Sequence, residues 1–196
     1  GLKVSAQIAA RAVGVMVGFE LTRHPFRSRP SYLEIAKLPI EERVEILKDP
    51  AVKARILAES PAADDDFADR LKDYMRVFHL GSPPDYEQPP ENSIGARAKR
   101  EGVDPQSIAY DDMLEDGGKA MLYMPALNYV DGSLDVLRQM MESPQAVPGL
   151  SDGGAHCGII CDASFPTFLL THWARDRERG EKLPLPYVVN LQTKRA

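Results

Sequence analysis

Cysteine is nearly absent: Cys157 and Cys161 are the only two in 196 residues, and they lie four positions apart. That spacing suits neither a long-range staple nor a secreted disulfide framework, so a reducing, cytoplasmic setting is expected. Long apolar runs are missing too. The longest, residues 8–19, is interrupted by Arg11 and falls far short of the roughly 20 residues that span a bilayer, which argues against a membrane partner. Basic clusters do not exceed Lys99-Arg100 and Lys194-Arg195, and the net charge is -5. No nucleic-acid partner or anionic surface is implied by that balance. There is no Gly-x-x-x-x-Gly-Lys loop and no Gly-x-Ser-x-Gly elbow, and the run from Gly14 to Gly18 lacks the dinucleotide spacing. Among the four histidines, His24, His79, His156 and His172, there is neither a His-x-His pair nor a His-Glu-x-x-His helix.

What is present is an ordinary soluble globular composition, 43% hydrophobic and 27% charged, enough for one core. Gly1 stands without an initiator Met or a charged-then-apolar leader, so we expect a chain cut at its start. Period-two alternation over residues 2–7 predicts a strand in which Gln7 is the polar contributor facing a binding cleft. Residues 31–37, 39–48 and 50–60 read as three short helices, with Pro39 and Pro50 in first-turn positions, so residues 24–62 form a helical insertion. Asp64, Asp65 and Asp66 read as a solvated helix start rather than a metal cluster.

Residues 75–80 predict a strand with His79 near its end, either a satisfied histidine or one facing a site. A helix over 93–101 closes at Gly102, and Asp104-Pro105 starts another that stops at Gly117-Gly118. Then come a strand at 120–124, a helix at 133–142 and a strand around Val147 and Leu150. An amphipathic helix over 165–179 has a charged, solvated end, and a last helix begins at Leu185.

The strand around Val147 delivers one carboxylate. Gly153 and Gly154 end it and let the backbone approach a ligand, so Asp152 stands at the strand's exit, where an α/β barrel puts its chemistry. Asp152 could equally be a turn aspartate capping the next helix. A carboxylate there can ligate a metal or take a proton from water. A structural zinc held by His156, Cys157 and Cys161 is an alternative, although these cysteines lack the two-residue spacing of zinc knuckles.

Gly149-Leu150-Ser151-Asp152-Gly153-Gly154-Ala155-His156, Cys161-Asp162-Ala163-Ser164-Phe165-Pro166-Thr167 and Leu170-Thr171-His172-Trp173 resemble the metal-dependent amidohydrolase family that includes the N-acyl-D-amino-acid deacylases. Ser5-Ala6-Gln7, His24-Pro25-Phe26, Gly102-Val103-Asp104-Pro105 and Ala126-Leu127-Asn128-Tyr129 extend the resemblance in the same order along nearly the whole chain. The resemblance implies an α/β fold in which residues 1–196 are the carboxyl-terminal portion of a TIM (β/α)8 barrel, the last strands only, with the helical insertion inside it. It implies a zinc-dependent hydrolase of amide C–N bonds with a small-molecule amide substrate. Asp152 inherits the role of catalytic base and metal ligand, and Ser151, Gly153, Gly154, His156 and Gln7 would shape the pocket.

The family's His-x-His pair has no counterpart here, so the isolated chain is expected to be inactive and not to retain zinc. The sequence also departs from a D-aminoacylase in offering Asp162 and Ala163, with no arginine after Asp152 until Arg175. The rival reading is a non-catalytic fragment that forms homo-oligomers through exposed barrel edges.

Overall fold

The structure, a computed structural model, describes residues 4–129, 131–149, 158–160 and 162–195, except for the side chain of Asp69. In chain order the elements are β1 (Ala6–Ala9), β2 (Val13–Val17), α1 (Pro30–Leu33), α2 (Ile40–Leu47), α3 (Pro50–Ala58), α4 (Asp66–Arg70), β3 (Phe78–His79), α5 (Ile94–Glu101) and α6 (Pro105–Gly118). They continue with β4 (Leu122–Leu127), α7 (Asp135–Glu142), β5 (Ala146–Gly149), α8 (Phe165–Phe168), a π-helical segment (Leu169–Asp176) and α9 (Leu185–Gln192). The fold is therefore mixed α/β. Among the described residues the strands form a parallel pair, β1 with β5, and a three-stranded sheet in the order β2-β4-β3, with no closed barrel. No helix among these residues is long and apolar enough to cross a membrane.

The chain divides into two compact units, Gly1–Gly14 with Pro125–Ala196, and Val15–Met124. In the unit Val15–Met124, local chemistry sets the helix starts. Asp49 accepts the Ala51 N–H at 2.8 Å ahead of Pro50, and Asp104 accepts the Gln106 N–H at 2.9 Å ahead of Pro105. Ser93 accepts the Ala96 N–H at 3.2 Å, and Gly102 closes α5 in the left-handed region at φ +70. Asp65 accepts the Ala68 N–H at 3.2 Å beside α4, the behaviour of a helix-start residue. The core gathers Phe19, Phe26, Tyr32, Leu47, Ile94 and Tyr110. Removing these large side chains from water, at about 25 cal/mol per Å², is the main force holding α1 to α6 together.

Several boundaries differ from the expected ones. The strand expected over 75–80 is reduced to Phe78–His79, because Tyr74–Arg76 is a 3-10 turn with Tyr74 buried. Antiparallel pairing puts Phe78 opposite Tyr123 and His79 opposite Leu122. The helix that starts at Pro105 leaves helical geometry at Glu115 (ψ 160), before the glycines, and Asp116 follows at φ 49.

In the other unit β1 lies parallel to β5, with Ala6 opposite Ala146 and Ala9 opposite Gly149. Leu134, Leu137 and Met141 are buried around α7, and Phe165, Leu169 and Trp173 are buried along α8 and the π-helical segment. The helix expected over 165–179 ends at Asp176, and its charged end is not wholly solvated. Arg177 turns inward to full burial, its guanidinium 4.6 Å from the Trp173 ring centroid and 2.6 Å from Asp135 Oδ1, while its N–H donates to the His172 carbonyl. Cation–π contact and the ion pair offset part of the hydration this arginine gives up.

Candidate active site

Both strands of the parallel pair end on one cavity. Its volume is about 170 Å³, and the strand ends supply Ala10, Pro148 and Gly149. Phe165 and Pro166 of α8, Leu169 of the π-helical segment and the partly exposed Gln192 of α9 complete the lining. The carboxyl ends of parallel strands are where α/β folds gather ligands, since the backbone leaves the sheet there and frees side chains for contact.

Gln7 lies on β1 one position from the Ile8–Pro148 pair. Its side-chain amide covers Gly149: a Cβ built on that glycine would stand 2.6 Å from the Gln7 Nε2. Glycine at 149 is what permits the approach. The amide of Gln7 is thus held against a residue that lines the cavity.

A second group sits at the end of β1. Arg11, 1% exposed, donates from Nη1 to Ser164 Oγ at 2.9 Å, and its Nη2 stands 3.5 Å from Asp162 Oδ1. The guanidinium carbon is 4.8 Å from the centroid of the Phe165 ring and 6.0 Å from that of Phe168. Arg11 thus brings a cation beside Asp162 from 151 positions earlier in the chain. Trp173 Nε1 donates to the Ala10 carbonyl at 2.6 Å, which anchors the strand end next to this pair. None of this was read from the sequence. The available signal was Arg11 itself, a charge inside an apolar run, which demands a buried partner.

Ser151, Asp152, Gly153, Gly154 and His156 lie outside the described residues, as do Cys157 and Cys161. His24 is fully buried, its ring 4.4 Å from that of Tyr32 and 5.1 Å from that of Phe19, and Nδ1 accepts the Phe26 N–H. Burial, reinforced by the Arg43 cation, lowers its pKa to about 3, so it is a neutral core residue. His79 stands 3.7 Å from Glu115, and its carbonyl accepts from Gln88 Nε2 at 2.5 Å. His172 stacks on Phe168 with ring centroids 4.5 Å apart.

Among the described residues no group of three or more His, Cys, Asp or Glu side chains is placed to hold a metal ion. A zinc ligand set in this chain would draw on residues outside the described ones. No family model, no curated protein and no solved structure matches the chain.

Proposed function

We propose that this chain is the carboxyl-terminal portion of a TIM-type barrel from a zinc-dependent amidohydrolase, resembling the N-acyl-D-amino-acid deacylases and acting in the cytoplasm on small-molecule amides. The observation that carries the reading is the parallel pairing of β1 with β5, whose carboxyl ends open on one cavity. Asp152 follows Gly149 by three residues of chain. A carboxylate leaving such a strand end suits a general base, which takes a proton from the attacking water and returns it to the departing nitrogen. Zinc, when bound, would supply Lewis-acid polarisation of the scissile carbonyl. Gln7 contributes an amide beside Gly149, and Ser151, Gly153, Gly154 and His156 complete the pocket in this reading.

The test uses the reading frame that surrounds this chain. A His-x-His pair upstream is expected, together with zinc-dependent hydrolysis of N-acyl amino acids by the extended protein. Asp152→Asn should lower kcat by about 10²- to 10⁴-fold, the usual contribution of a general base. The 196-residue chain alone should turn nothing over. An extended frame without the histidine pair and without amide turnover would defeat the proposal.

A second reading is a non-catalytic, self-associating fragment. It is favoured by the two-strand extent of the β1–β5 sheet among the described residues and by Val4, 72% exposed just ahead of it. Sedimentation at rising concentration separates the readings, because the fragment should form dimers or larger species whether or not metal is present.

A further inference from the structure

We infer that a charged cleft in the unit Val15–Met124 binds a small zwitterion of the α-amino-acid type, its ammonium on Asp65 and its carboxylate on Arg23, beside the Phe67 ring. The cleft has a volume of about 310 Å³ and is lined by Arg23, Asp64, Asp65, Asp66, Phe67 and Arg70. That volume stands at the lower end of the roughly 300–1,000 Å³ clefts that hold small molecules. The cleft shares no lining residue with the cavity at the ends of β1 and β5, and the inference does not rest on the amidohydrolase reading.

Both signs of charge reach one aromatic ring. The Arg23 guanidinium carbon stands 5.6 Å from the centroid of the Phe67 ring, and Asp65 and Asp66 come immediately before Phe67 in the chain. Arg23 is half-buried, and its backbone carbonyl accepts the Gly18 N–H at 3.1 Å, which fixes where the side chain departs. Asp65 is half-buried too. Its Oδ1 accepts the Ala68 N–H at 3.2 Å and is occupied in starting α4. Its Oδ2 is buried and takes no hydrogen bond from the described residues. A buried carboxylate oxygen left without a donor is costly, and an ammonium N–H is the charge-assisted donor that suits it.

The mixture of signs selects the ligand. A simple anion drawn to Arg23 and Arg70 meets three carboxylates, and a simple cation drawn to Asp65 meets two guanidiniums. A zwitterion sets each of its charges against the opposite one, and the carbon that joins them lies on the Phe67 ring.

The experiment titrates the 196-residue chain with leucine, leucinamide and N-acetylleucine, followed through the backbone amide signals of Phe67 and Ala68 by NMR. Leucine carries both charges and should give saturable shifts. Leucinamide keeps only the ammonium and N-acetylleucine only the carboxylate, and each should bind at least tenfold more weakly. Asp65→Asn retains the Oδ1 acceptor for α4 and should weaken leucine at least fivefold while leaving N-acetylleucine within twofold. Arg23→Gln should weaken leucine at least fivefold and leave leucinamide within twofold. The unchanged ligand in each case shows that the variant keeps the folded cleft.

The inference is overturned by flat titrations, which would mean that Asp65 Oδ2 holds only water, by leucinamide or N-acetylleucine binding as tightly as leucine, or by either variant binding leucine as wild type. The amidohydrolase reading is tested by turnover of the extended protein, so the two fail separately.

Discussion

The indole N–H of Trp173 donates to the carbonyl of Ala10, 163 residues away, at 2.6 Å. One bond thus joins the π-helical segment to the end of β1, where the candidate cavity begins. The same ring carries the Arg177 guanidinium on its face.

Trp173→Phe keeps a ring of similar character and removes the donor. The Ala10 carbonyl would be left buried and unsatisfied, at about 1–3 kcal/mol. Urea denaturation should show a lower midpoint with an unchanged slope, and the loss should shrink in a background where Arg177→Met has already removed the stacked cation.

Arg11 and Asp162 form a buried pair from distant parts of the chain. Arg11→Met should cost about 3–5 kcal/mol, because the carboxylate is left without its cation in a poorly hydrated place. The double variant Arg11→Met with Asp162→Asn should recover part of that loss in a thermal or denaturant double-mutant cycle. An additive pair of losses would show that the two side chains do not interact energetically.

His24 gives stability a pH dependence of known sign. Burial holds its folded pKa near 3, against 6.5 for an ordinary histidine. Between those values the unfolded chain binds a proton that the folded chain does not. The contribution is therefore fully present above about pH 6.5 and is lost as pH falls, by up to about 1.4 kcal/mol per pH unit. Denaturation measured from pH 6.5 down to 5 should show this slope, and His24→Phe should flatten it.

Arg97 grips Asp112 with two bonds, 2.5 Å from Nη1 and 3.0 Å from Nη2, and Asp112 is almost fully buried. The pair holds the Arg97 pKa above its usual value, chiefly through that hydrogen bonding. Arg97→Lys keeps the charge and loses the fork, so a loss of about 1–2 kcal/mol is expected. Chemical denaturation checks it, and Arg97→Met should cost more than Arg97→Lys.

The starts of α3, α5 and α6 were legible because their causes are local. Asp49-Pro50, Ser93 and Asp104-Pro105 each hold a cap and its helix within a few residues, and the structure starts α3, α5 and α6 there. Strand extents were less legible: Met75 carries an apolar side chain, yet it sits in a 3-10 turn because the buried Tyr74 beside it is held by packing. The charged stretch after Trp173 misled for the same kind of reason, since composition cannot reveal that Arg177 has an aromatic face and Asp135 waiting inside. Within the candidate site, Gln7 was identifiable as the polar member of its strand. Arg11 was visible only as an anomaly.

The chain's order of residues determined by itself where α3, α5 and α6 begin, where Gly102 stops one, and that β5 would be a short apolar strand ahead of Asp152. Such outcomes depend on backbone geometry and on donors a few positions away. The partnership of Ala9 with Gly149, of Arg11 with Asp162 and of Trp173 with Ala10 was decided only by tertiary structure. Parallel strands and buried charges are satisfied by groups far along the chain, and it is the burial of a shared core that selects which of the many possible partners meet.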